Sequence, residues 1–171
     1  MRHINKNSIH FLILDVDGTL TDGKIYMSEQ GELVKTFHIK DGYAIHDMLP
    51  KAGVTPIVLT GRSSKIVANR CEELGITMIF QGIRDKSKAL DEIVSLLSKN
   101  SDKEDTLKNI AYMGDDLNDL TCMQRIIQAG GIVGCPADAA KQICHCADFI
   151  STKNGGDGAV REFVEWLLAD S

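Results

Sequence analysis

Residues 11–23 read FLILDVDGTLTDG. Phe11, Leu12, Ile13 and Leu14 form an unbroken apolar run, which predicts a buried strand that delivers Asp15 and Asp17 to its carboxyl end. That end is where open α/β sheets build their active sites. Gly18 and Thr19 follow at once, so the chain is expected to turn there instead of continuing the pleat that puts both carboxylates on one face. Two acids crowded at a strand end repel one another, and a divalent cation offsets their charge. A hard cation such as Mg²⁺ takes carboxylate oxygens together with phosphate oxygens, so the stretch predicts a phosphoryl-transfer site.

Outward from this strand, apolar runs bounded by turn residues recur at 9–14, 55–59, 77–80, 109–113, 131–134 and 147–150. They read as short buried strands. Helical periodicity lies between most of them, notably at 63–74, 86–97, 116–127 and 159–168. Strand and helix in alternation predict an α/β fold with a doubly wound parallel sheet and helices on both faces. One segment breaks the alternation: 24–27 and 33–39 flank a polar turn at 28–32 containing Gly31, which predicts a projecting β-hairpin over about 24–39. Its Ile25, Tyr26, Val34, Phe37 and Ile39 need cover that an isolated hairpin does not provide. Self-association supplies that cover, and so does a hairpin folded over its own domain. The charged stretch 98–108, with Asn100, reads as a solvated loop.

The 171 residues, without an internal repeat or a proline-rich linker, suit one domain over 1–171. A formal net charge of −5 argues against a general nucleic-acid surface, so an anionic substrate must be met by local cations. No stretch approaches the roughly 18 apolar residues that span a bilayer, and MRHINKNSIH lacks the apolar core of a signal peptide; a cytoplasmic protein with no membrane partner is expected. Five cysteines, Cys71, Cys122, Cys135, Cys144 and Cys146, cannot all pair within the chain, which favours reduced thiols. Cys135, Cys144, His145 and Cys146 are zinc-ligand types but lack the usual two-residue spacing.

Three further sites strengthen the opening signal. Thr60, Gly61 and Arg62 follow a strand and offer a hydroxyl, backbone N–H groups and a cation where a helix begins, a setting that binds phosphate; Thr60 also suits a plain helix cap, as does Ser63. Lys86 stands at a helix start, where a cation opposes the macrodipole; it is either a working residue or a solvated surface lysine. GDDLND then places Asp115, Asp116, Asn118 and Asp119 at another helix start. The dipole accounts for one or two of these acids, whereas the cluster also suits a cation site or a carboxylate that orients a lysine.

In this order DVDGT, LTGR, Lys86 and GDDLND resemble the four signature motifs of the haloacid dehalogenase superfamily of phosphohydrolases. The resemblance implies that Asp15 is the nucleophile, forming an aspartyl-phosphate, and that Asp17 is the general acid and then the base. It implies Mg²⁺ held by the Asp15 carboxylate, the Asp17 main-chain carbonyl and Asp115, with Thr60, Gly61 and Lys86 on the phosphoryl group and Asp116 and Asp119 in support. The gaps between Asp17 and Thr60 and between Thr60 and Lys86 are too short for a cap domain. DGTLTDG, Gly31–Glu32, KDG at 40–42 and the tail GGDGAVREF further resemble the capless 3-deoxy-D-manno-octulosonate 8-phosphate phosphatase family. That family implies a sugar acid phosphate as substrate and a homotetramer in which hairpins make the contacts and a neighbouring subunit partly covers each active site. Arg62, where nine-carbon phosphatases tend to carry glutamate, favours the octulosonate, and Arg62 and Arg70 are candidates for the substrate carboxylate. Other readings are a sialic-acid-type 9-phosphate phosphatase, a broad small-molecule phosphatase, and a non-catalytic oligomerisation module related to cytidylyltransferase-fused domains. The run at 155–158 reads either as a loop that moves over a neighbouring site or as a helix start.

Overall fold

The apolar run forms strand β1, Phe11–Leu14, whose Leu12, Ile13 and Leu14 are fully buried. Successive strand side chains face opposite sides, so Leu12 and Leu14 enter one core and Ile13 the other. Each such side chain contributes about 1.5–3 kcal/mol, which makes β1 the axis of the domain.

The computed structural model describes residues 4–98 and 103–169. After β1 come a hairpin of β2, Tyr26–Ser28, and β3, Gly31–Val34. The helical stretch that follows consists of α1, Ile39–Tyr43, a π-turn at Ala44–Met48, and α2, Leu49–Lys51. Alternation then sets in with β4, Thr55–Leu59, α3, Lys65–Glu73, β5, Met78–Phe80, and α4, Lys86–Leu97. The chain continues through α5, Lys103–Leu107, β6, Ile110–Met113, α6, Leu117–Ala129, and β7, Ile132–Cys135. It finishes with α7, Lys141–Cys146, β8, Phe149–Ile150, and α8, Ala159–Leu168.

The six sheet strands are parallel in the order β5-β4-β1-β6-β7-β8. The chain adds β4 and β5 on one side of β1 and then returns to add β6, β7 and β8 on the other. The order therefore reverses beside β1, and such a switch point opens a crevice at the carboxyl ends of the strands. One face is covered by residues 39–51, α3 and α8, through Ile45, Leu49, Val67, Val160 and Phe163. The other is covered by α4, α6 and α7, through Leu90, Ile93, Met123, Ile126 and Ile143.

Two expectations need correction. The stretch 98–108 is not loop throughout: α5 occupies Lys103–Leu107, because Thr106 is buried and Leu107 packs on the core despite the charges beside them; 99–102, with Asn100, lie outside the described residues. The hairpin is also shorter than read. Its second strand ends at Val34, Lys35 turns inward, Phe37 packs on the domain's own core, and Ile39 opens α1 with His38 as its cap. The remaining apolar side chains, including Ile25, Met27, Leu33, Val34 and Ile39, are exposed.

Candidate active site

Asp15 leaves the end of β1, and its N–H donates to the Met113 carbonyl on β6. The residue is 4% exposed. Lys86, in the first turn of α4, is as deeply buried, and its Nζ donates to Asp15 Oδ1 and to Asp119 Oδ1, both at 2.7 Å. A lysine at a helix start is unfavourable to the dipole; two buried carboxylates offset that. Asp119, in the first turn of α6, is wholly buried and fully engaged. Its Oδ1 also accepts from the Tyr112 hydroxyl at 2.6 Å, and its Oδ2 accepts from the N–H groups of Asp115 and Asp116. Asp116 itself is exposed and acts as the helix cap, paired with Asp119 in a capping box.

Asp115 completes a cluster in which carboxylate oxygens of Asp15, Asp115 and Asp119 all lie within 4.8 Å of one another. Burial, then the charge of Asp119, pushes the Asp15 carboxyl from its ordinary 3.8 up to about 6, against the pull of Lys86. Burial, then Asp15 and Asp119, pushes Asp115 up to about 8, although the Thr19 hydroxyl donates to it at 3.0 Å. Burial alone lowers the Lys86 pKa, but Asp15 and Asp119 outweigh it and the net shift is upward, so the ammonium stays charged. Mutual repulsion among hard oxygen donors is the condition a Mg²⁺ ion relieves. Because Asp119 is committed to Lys86 and Tyr112, Asp15 and Asp115 are the carboxylates open to such an ion. The backbone at Gly18 closes on the same spot: Gly18 has φ +99°, and a Cβ there would fall 2.1 Å from Asp115 Oδ2.

Asp17, beyond the turn, sits at the rim. Its Oδ1 accepts from Lys35 Nζ, and Arg62 Nε lies 4.0 Å from its Oδ2. Lys35 also pairs with Glu32 at 3.0 Å, Glu32 accepts from the Ser64 hydroxyl, and Arg62 lies 3.6 Å from Glu32. Burial raises the Glu32 pKa, but the Ser64 hydroxyl and Lys35 outweigh it and hold the carboxyl below its ordinary value. Thr60 is buried at the end of β4, and its N–H donates to the Phe80 carbonyl; Gly61 after it is exposed. The cap of α3 is Ser64, so neither Thr60 nor Ser63 caps the helix. Arg70 stands apart from these rim pairs, bound to Glu73 at 2.8 Å with its guanidinium 5.7 Å from the Phe37 ring. It nevertheless lines, with Lys35, Phe37, Ile39 and Ile66, an open groove of about 390 Å³.

The run at 155–158 is seated on this chain's own turn after β1: Gly156 N–H donates to the Thr19 carbonyl, and Gly155 passes so close to Gly18 that a Cβ would lie 1.9 Å from its carbonyl oxygen. Cys135 and Cys144 approach to 4.0 Å between sulfurs, while the Cys146 thiol turns to the Ile143 carbonyl.

Sequence reasoning missed Lys35, Glu32 as a rim carboxylate, Ser64, Thr19 and Tyr112. Tyr112 carried a signal, since a tyrosine in a buried strand must find a partner for its hydroxyl. Lys35 carried none: a lysine beside Val34 in a hairpin reads as solvated.

No protein-family model matches the chain. The chain is 39% identical over 161 residues to the 3-deoxy-D-manno-octulosonate 8-phosphate phosphatase of Escherichia coli K12, covering 94% of this chain and 80% of that one. Its fold is similar to the crystal structure of the phosphatase of the same name from Moraxella catarrhalis, in complex with magnesium, phosphate and KDO, at a TM-score of 0.84 and 36% identity over 95% of this chain and 87% of that one. A cobalt-bound octulosonate 8-phosphate phosphatase from Haemophilus influenzae matches at a TM-score of 0.83 and 34% identity, over 96% and 90% of the two chains.

Proposed function

Because this chain belongs to the 3-deoxy-D-manno-octulosonate 8-phosphate phosphatase family of the haloacid dehalogenase superfamily, we propose that it hydrolyses that sugar acid phosphate to the free sugar acid and phosphate. The observation that carries the reading is Lys86 clamped between buried Asp15 and Asp119, with Asp115 alongside, at the switch point of the sheet.

Asp15 attacks phosphorus; the bond to the sugar oxygen breaks as the bond to Asp15 forms. Its pKa near 6 leaves it largely ionised at neutral pH, as a nucleophile must be. Asp17 gives its proton to the departing sugar alkoxide and then takes one from the water that cleaves the aspartyl-phosphate, returning Asp15 free. Lys86 neutralises charge on the phosphoryl oxygens, and Thr60 and the Gly61 N–H add hydrogen bonds there. Asp15, Asp115 and the Asp17 main-chain carbonyl would hold the Mg²⁺ cofactor, which would supply charge neutralisation at the transferring phosphoryl group. Asp119 holds Lys86 in place. Arg62, at the rim, and Arg70, along the groove, meet the substrate carboxylate.

The exposed apolar side of the hairpin supports a homotetramer in which a neighbouring subunit covers each site. The chemistry is tested by phosphate release with Mg²⁺ from octulosonate 8-phosphate, nonulosonate 9-phosphates and hexose phosphates. The reading requires the first to be preferred by at least tenfold in kcat/KM; preference for a nine-carbon ester overturns it.

A further inference from the structure

Lys35 belongs to neither the nucleophile's clamp nor the cation cluster, yet its side chain is 1% exposed and ends on Asp17. It comes from the arm that leaves β3, and it is braced: Glu32, three residues earlier, pairs with it at 3.0 Å and is pinned by the Ser64 hydroxyl at the start of α3. Arg62 reaches both Asp17 and Glu32 at 4.0 and 3.6 Å. A lysine is seldom buried without a partner it must serve. From this chain of contacts we infer that Lys35, braced by Glu32, is a positioning residue that holds the Asp17 carboxyl where it meets the leaving oxygen, so that the hairpin arm serves the chemistry of its own subunit.

The inference rests on the role proposed for Asp17, and it separates by leaving group. A sugar alkoxide departs only with a proton, whereas p-nitrophenolate leaves without one. Through kcat/KM, which ends at alcohol release, misplacing Asp17 therefore penalises the sugar ester selectively. A displacement of about 1 Å costs up to about 10²-fold.

The test measures kcat/KM of Lys35→Met and Glu32→Gln, with Mg²⁺, on octulosonate 8-phosphate and p-nitrophenyl phosphate, with Asp17→Asn as the reference pattern. Lys35→Met is expected to lose on the order of 10²-fold on the sugar ester and at least tenfold less on the aryl ester. Glu32→Gln is expected to shift the ratio in the same direction by a smaller factor. Equal losses on both esters overturn the inference, because Lys35 would then act on the phosphoryl group or on the fold alone; so does no loss on either. If Lys35→Met fails to fold in a thermal melt, Glu32→Gln decides by the same ratio, an unchanged ratio overturning the inference. A wild-type protein inactive on octulosonate 8-phosphate refutes the proposed substrate only, and the ratio is then read on whichever alkyl phosphate it hydrolyses.

Discussion

Asp15 and Asp115 are held under mutual repulsion, and their titration carries a signed consequence. Both carboxyls protonate above the 3.8 of an unfolded aspartate, at about 6 and about 8. The metal-free fold thus binds more protons than the unfolded chain across that range, and these groups cost stability increasingly as pH rises from about 4 towards 8. A bound cation removes the repulsion and displaces the remaining proton. The rise in melting temperature on adding Mg²⁺ is therefore expected to be larger at pH 8 than at pH 6; a larger rise at pH 6 would count against the site. Asp115→Asn is expected to raise the metal-free melting temperature while abolishing both the Mg²⁺ effect and turnover, measured by thermal melts and phosphate release. Lys86→Met acts in the opposite sense: it strips two buried carboxylates of their partner, which costs about 3 kcal/mol or more, and it lowers kcat by at least about 10²-fold. At this scale Asp15, Asp115 and Asp119 were legible because two acids crowded at a strand end, and a cluster of acids larger than a helix dipole accounts for, demand a further reason. Lys35 was not, and Glu32 stood out only through the family resemblance and not as a partner of Lys35, since only the fold reveals that Lys35 turns inward.

The central strands β1, β4, β6 and β7 were legible as elements because burial on both faces leaves nearly unbroken apolar runs, whereas the outer strands β5 and β8 are only partly buried. Phe37 and Ile39 are spaced as apolar residues of a strand are, which makes the hairpin look longer in sequence than it is: the ladder stops at Val34 and the later residues pack on the core or open a helix. Helix α5 was hidden because charged residues occupy most of its single turn. Two loops build the floor of the site by direct backbone contact, with Gly155 against the Gly18 carbonyl at a spacing that leaves no room for a Cβ. Gly155→Ala is expected to push both loops apart and to lower kcat/KM at least about tenfold through displaced Asp17. Unchanged kinetics would mean the floor is tolerant of that shift.

At the scale of the molecule, the alternation of strand and helix pointed to the carboxyl ends of parallel strands, and the observed strand order, which reverses beside β1, sets the ends that lead to Asp15, Thr60 and Asp115 side by side. The proposed association is argued from a need for cover. Leu33, Ile39 and Met27 remain exposed, and a lone hairpin does not hold such a surface in water. Light scattering is expected to give about four times the 18.7 kDa chain mass, falling on Leu33→Lys with Ile39→Lys; a monomeric wild type would refute the tetramer. The central claim is the substrate, and the most direct measurement is phosphate release with Mg²⁺ from octulosonate 8-phosphate set against nonulosonate 9-phosphates and hexose phosphates, with Asp15→Asn as blank. The account predicts strong preference for the octulosonate and a silent blank; a nine-carbon preference, or release by Asp15→Asn at the wild-type rate, would contradict it.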